Sequence, residues 1–173
     1  MSIRLPIEIN PFRLVEQRQM LSGDFAVSQL SRIQSLLCSD EGQVQVKLEF
    51  DRDELGLAII IGKVDVTLDL QCQRCLSCMP YELTFNIHVV LVKSEKHEAR
   101  LQAGHEVILV EDDRLFIRDF IEDELLLALP LSVMHEECEP ARPLIEASLK
   151  DVIDETESEE KDNPFAALKD LKD

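Results

Sequence analysis

The chain has no tryptophan, one tyrosine and an aromatic content of only 5%, so the side chains on which nucleic-acid bases stack are scarce. Its five glycines form no phosphate-cradling loop, and no G-x-S-x-G nucleophile elbow is present. Long apolar runs are also missing. The two richest stretches, Leu55 to Ile61 and Leu125 to Leu131, fall far short of the roughly 18 residues that cross a bilayer. The opening MSIRLPIEIN is interrupted by Arg4, Pro6 and Glu8 and lacks the apolar core and small-residue cleavage site of a signal peptide, so export is not expected. Basic residues are few, 18 against 35 acidic, for a net charge of -17. A surface of that sign repels phosphate backbones and anionic lipid. DNA, membranes and a direct grip on naked RNA are therefore disfavoured, and basic partners are favoured.

What the chain does have is a globular composition, 45% hydrophobic and 31% charged over 173 residues, which suits one domain with an appendage. The acidity is unevenly spread. Residues 1–110 hold 11 basic and 15 acidic side chains, a balance of -4, whereas residues 111–173 hold 7 and 20, a balance of -13. Glu136 to Asp162 alone carries 11 acidic and 3 basic residues, the composition of a solvated linker. The expected organisation is a compact domain over 1–134, an acidic linker over 135–162 and a short helical motif over 163–173.

The middle of the chain alternates with period two at Val44, Val46, Leu48 and Phe50, at Val64, Val66, Leu68 and Leu70, and at Leu83, Phe85, Ile87, Val89 and Leu91. These are half-buried strands. Leu57 to Ile61 reads as a separate strand that turns at Gly62 and Lys63 into the one starting at Val64, and Val107 to Val110 adds another. Helical spacing predicts helices over Pro11 to Met20 and Ser28 to Cys38, the second capped by Ser28. A third, with Ile117, Phe120, Ile121, Leu125 and Ala128 on one face, is stopped by Pro130. The predicted class is α+β, with an antiparallel sheet of five to six strands flanked by helices.

Five cysteines, three of them within seven residues, favour thiols or a metal over a disulfide framework and point to a reducing cytoplasm. CQRC, with Cys72 and Cys75, sits between a strand and Pro80, at a hairpin tip where two thiolates can converge on one ion. Zinc wants four ligands, and Cys78, Cys138 and His135 are the candidates for the other two. A clean second pair is missing, so a reduced tip without cofactor is the expectation, and a zinc site on Cys72, Cys75, Cys138 and His135 is the alternative. A thioredoxin-like role is disfavoured, because a strand rather than a helix N-terminus follows the motif. Arg74, between the two cysteines, reads as a contact residue. Asp112, Asp113, Asp119, Glu122, Asp123 and Glu124 have the residue types of a divalent-metal hydrolase, but Asp119, Glu122 and Asp123 share a helix face opposite the apolar stripe, which reads as a solvated surface. Of the four histidines, His88 points away from the apolar face of its strand, His97 and His105 lie in a polar loop, and none has an evident nucleophile partner.

After the acidic run, NPFAALKDLK turns apolar. Asn163 can cap, Pro164 suits the first helical position, and Phe165, Leu168 and Leu171 share one face. A helix this short is marginal alone, so it docks on its own domain or on a partner.

Taken in order, CQRC after an alternating strand, IEDELLLALPL over Ile121 to Leu131, the acidic stretch and the closing Asn-Pro-Phe resemble the YceD family of bacterial large ribosomal RNA subunit accumulation proteins over the whole chain. The family's Cys-x-Arg-Cys matches Cys72, Arg74 and Cys75, its acidic helix matches Glu122 to Pro130, and its closing motif matches Asn163 to Phe165. The resemblance implies a non-enzymatic ribosome-biogenesis factor for 23S ribosomal RNA in the cytoplasm, reached directly or through a basic ribosomal protein or assembly factor. The alternative is a metal-dependent nuclease or RNA-modifying enzyme using the acidic cluster.

Overall fold

The computed structural model describes residues 5–94 and 106–141. His97 and His105 fall outside these residues, as do Asn163, Pro164, Phe165, Leu168 and Leu171. The chain divides into two units, Met1–His135 and Glu136–Asp173. The described part of the second, residues 136–141, runs without helix or strand.

The first unit is built on a six-stranded sheet. Its strands are β2 (Met20–Ala26), β3 (Leu37–Ser39), β4 (Gln43–Arg52), β5 (Ala58–Gln71), β6 (Cys78–Val92) and β7 (Glu106–Leu109), ordered β2-β4-β5-β6-β7 with β3 also paired to β5. All neighbours are antiparallel except β6 and β7, which run parallel. The sheet is therefore mixed, where the alternation pattern predicts a purely antiparallel one. Period-two patterning specifies which face is buried but carries no information on strand direction. Two short strands, β1 (Glu8–Ile9) and β8 (Leu115–Phe116), pair separately.

One face of the sheet carries the core. Val44, Val46, Leu48 and Phe50 from β4, Ile60, Val64, Val66 and Leu68 from β5, and Leu83, Ile87 and Val89 from β6 are buried together with Val27, Leu30 and Ile33. The helix α2 (Ile117–Ala128) adds Ile117, Phe120, Ile121 and Leu125 to this core, and it ends before Pro130, whose ring disfavours helical backbone in the residue ahead of it. Against the opposite face, among the described residues, Ile59, Val90 and Val92 form a small second cluster.

Three predicted elements come out differently. Leu57 to Ile61 does not turn at Gly62, because β5 is continuous from Ala58 to Gln71 and Gly62 pairs with Leu48 across the ladder. A Cβ on Gly62 would lie 2.5 Å from Leu48 Cδ2 and 2.8 Å from the Lys47 carbonyl oxygen, so this glycine serves close approach rather than a bend. The turn lies earlier, where Asp53 Oδ1 accepts the amides of Leu55 and Leu57 and Gly56 adopts φ +81°, a left-handed backbone that glycine tolerates.

The helix predicted over Pro11 to Met20 is α1 (Pro11–Glu16), started by Asn10, whose Oδ1 accepts the Arg13 amide at 2.9 Å, and by Pro11. It is cut short because Met20 enters the ladder with β4.

Ser28 to Cys38 forms two 3-10 turns, Val27–Gln29 and Gln34–Leu36, and then β3. Leu30 and Ile33 are buried as the helical spacing requires, but the amides of Arg32 and Ile33 donate to the carboxylate of Glu122, at 2.6 and 3.2 Å. A distant side chain satisfies donors that a helix would have satisfied locally.

Candidate functional site

The loop between β5 and β6 is six residues, Cys72 to Ser77, and it is tightly tied. The Cys72 amide donates to Ser77 O and the Leu76 amide to Cys72 O, both at 2.9 Å, with Leu76 in the left-handed region at φ +63°. The loop is also joined to the segment following α2, since the Gln73 amide donates to Val133 O at 2.9 Å. This bond brings His135 to the hairpin tip, 60 residues beyond Cys75 in sequence. His135 Nδ1 lies 3.3 Å from Cys75 Sγ, and the His135 amide donates to Cys72 Sγ at 3.4 Å. The Arg74 amide makes a second donation to Cys72 Sγ, also at 3.4 Å. Cys75 Sγ is further placed by Ser77 Oγ at 2.9 Å.

The potential ligand atoms of Cys72, Cys75 and His135 lie within 4.8 Å of one another. Cys72 is fully buried, whereas Cys75 and His135 are half-buried. Burial pushes the Cys72 thiol up, but the backbone amides of Cys75, His135 and Arg74 and the side chain of Cys75 outweigh it and bring its pKa down to about 5. Hydrogen bonding to the charged form is the cause. His135 is raised above its ordinary value by its hydrogen bonds with Cys72 and then Cys75. Sulfur and imidazole donors converging in this way suit a soft or borderline cation.

Cys138 is half-buried and belongs to the second unit. Arg74 contributes its amide to the Cys72 sulfur, and its side chain is half-buried. Cys78 is not available as a ligand. It forms a disulfide with Cys38, with Cα atoms 6.1 Å apart, within the range for such a bond. Sequence spacing favoured thiols for these cysteines. The bond arises because β3 pairs with the end of β5 that also leads into β6, a proximity across 40 residues that spacing does not encode.

Of the expected solvated face, Asp119 and Asp123 are exposed but Glu122 is not. Glu122 is 4% exposed, and its carboxylate takes the backbone amides of Arg32 and Ile33 together with the Arg32 guanidinium. Asp123 also pairs with Arg32, and Asp113 pairs with Lys93. Asp119 is exposed. Glu124 is half-buried, and burial, followed by the charges of Glu106 and Asp123, raises its pKa. Arg32 was not singled out by sequence, since no local pattern marks a partner 90 residues away. His88 is exposed on the outward face of β6, opposite Ile61 in register.

Comparison with known proteins gives a consistent picture. No solved structure matches the chain. The family described as "Large ribosomal RNA subunit accumulation protein YceD" matches residues 60–172, a span that takes in the hairpin tip, α2 and the acidic tail. The Haemophilus influenzae protein named Large ribosomal RNA subunit accumulation protein YceD is 30% identical over 175 residues, covering 98% of this chain and 97% of the relative. Family resemblance therefore extends beyond a shared motif to nearly the full length, and the chain belongs to the YceD family.

Proposed function

We propose that this chain is a non-enzymatic ribosome-biogenesis factor that supports the synthesis, processing or stability of 23S ribosomal RNA in the bacterial cytoplasm. The observation that carries this reading is the nearly full-length kinship with a protein named for accumulation of large ribosomal subunit RNA. Charge supplies the sign of the partner. At -17 the chain gains little from releasing counterions off a phosphate backbone, so a basic ribosomal protein or assembly factor is its direct contact and RNA is reached through it. The closing segment from Asn163 to Asp173 is the proposed recognition motif, with Phe165 as anchor, because binding energy concentrates on large aromatic side chains.

Affinity capture from cells at low and high salt, read for both protein and RNA, tests this reading. A basic large-subunit protein should be recovered with the full chain, and recovery should fall sharply for the chain lacking residues 163–173 and for Phe165→Ala. Tight binding of the purified chain to naked 23S fragments with a steep salt dependence would contradict it. So would cleavage or modification of a 23S precursor by purified protein with Mg²⁺ or Mn²⁺. The second outcome would favour the acidic cluster as an active site, although Glu122 is already committed to the amides of Arg32 and Ile33.

A further inference from the structure

Five cysteines divide into two groups. Cys38 and Cys78 are joined to each other, which leaves Cys72, Cys75 and Cys138 as thiols. Two of these three converge with His135 at the hairpin tip. We propose that Cys72, Cys75 and His135 hold one zinc ion.

The geometry of the three described ligands fits the ion. Zinc–sulfur bonds of about 2.3 Å and zinc–nitrogen bonds of about 2.0 Å in a tetrahedron place neighbouring donors about 3.5 to 3.8 Å apart. Cys75 Sγ and His135 Nδ1 are 3.3 Å apart, and every pair in the trio is within 4.8 Å, so binding requires shifts of about 1 Å or less rather than a rearrangement. The surroundings fit as well. Cys72 Sγ receives two backbone N–H groups, from Arg74 and His135, and such donors stabilise a metal-bound thiolate and fix its direction. The Gln73 to Val133 backbone bond already holds together the two segments that carry the ligands.

Zinc takes four ligands in a tetrahedron, so these three side chains leave one position to a further donor. Two thiols yield their protons on binding, and no redox partner is required. The inference stands on side-chain chemistry alone and does not depend on the ribosomal reading.

The test uses the full chain, purified without chelator, with Zn²⁺ measured directly and Co²⁺ as a spectroscopic probe after exchange under reducing conditions. Because Cys72 is buried, its substitution perturbs folding by itself, so the half-buried Cys75 carries the test. The expected result is about one Zn²⁺ per chain. Co²⁺ should give the strong visible bands of a tetrahedral site and a thiolate charge-transfer absorbance that falls by about half in Cys75→Ser. Cys78→Ser should leave the spectrum unchanged. Failure of the full chain to take up either metal would overturn the proposal, as would a spectrum indifferent to Cys75→Ser.

Discussion

The carboxylate of Glu122 on α2 accepts the backbone amide of Ile33, 89 residues earlier in the chain, at 3.2 Å. The same oxygen accepts the Arg32 amide at 2.6 Å, and Glu122 itself is buried. One side chain thereby replaces the local hydrogen bonding that the segment from Ser28 to Cys38 would otherwise make, and its charge is met by the Arg32 guanidinium. In this protein Glu122 is a structural acid.

Removing it leaves two backbone donors without an acceptor. Glu122→Ala should destabilise the domain by about 2 to 4 kcal/mol, since each buried unsatisfied group costs about 1 to 3 kcal/mol. Glu122→Gln, which keeps one acceptor oxygen, should lose less. Urea denaturation of the two variants beside the parent measures the difference.

Gly62 gives a second prediction, on packing. A methyl group there meets the Leu48 side chain and the Lys47 carbonyl well inside van der Waals contact. Gly62→Ala should therefore destabilise by about 1 to 3 kcal/mol through overpacking, whereas Gly56→Ala, with open space around it but φ +81°, should lose only the smaller cost of a strained backbone. Thermal unfolding of both separates the two causes.

These residues also show what the sequence makes legible. Strand positions such as Val44, Val46 and Leu48 and the α2 stripe of Ile117, Phe120, Ile121 and Leu125 are buried as their periodicity requires, because period is a local property of the chain. Gly62 reads as a turn in the sequence because a glycine's local meaning is ambiguous between a bend and a close approach, and only the partner strand decides. Glu122 reads as solvated for a similar reason, since its partners come from the other end of the domain. The hairpin tip was half legible. The Cys72 and Cys75 spacing and the candidacy of His135 are visible in sequence, but the meeting of His135 with Cys75 depends on the backbone bond from Gln73 to Val133, and the Cys38–Cys78 disulfide depends on β3 joining β5.

Glu124 gives a prediction on pH. Its folded pKa lies above the ordinary value of 4.5 because of burial and the nearby charges of Glu106 and Asp123. A carboxyl whose pKa is raised by folding favours the folded state while protonated, and that contribution is lost as pH rises through the folded pKa. At neutral pH the ionised group is therefore a small burden. Glu124→Gln should raise the unfolding midpoint at pH 7, and the gain should shrink as pH falls through the raised folded pKa and be gone below 4.5. An advantage that is constant across this range would rule out the ionisation mechanism.

The disulfide predicts a thiol count. Both Cys38 and Cys78 are exposed, and exposed disulfides are accessible to reductants. Unfolded in the presence of chelator, the unreduced chain should react with a thiol reagent at three cysteines, and at all five after reduction. Five reactive thiols before reduction would remove the bond from the account.

As a ribosome-biogenesis factor of the kind proposed above, the chain would support accumulation of large-subunit ribosomal RNA without performing chemistry on it. The most direct measurement is the ratio of 23S to 16S ribosomal RNA in cells depleted of this protein and complemented with the parent chain or with a chain in which Asp112, Asp113, Asp119 and Asp123 are replaced by Asn. The account predicts that depletion lowers the ratio, and that the parent and the carboxylate-substituted chain restore it equally. A ratio unchanged by depletion would contradict the ribosomal role, and restoration by the parent alone, with the substituted chain folded and present at equal abundance, would contradict the non-enzymatic one.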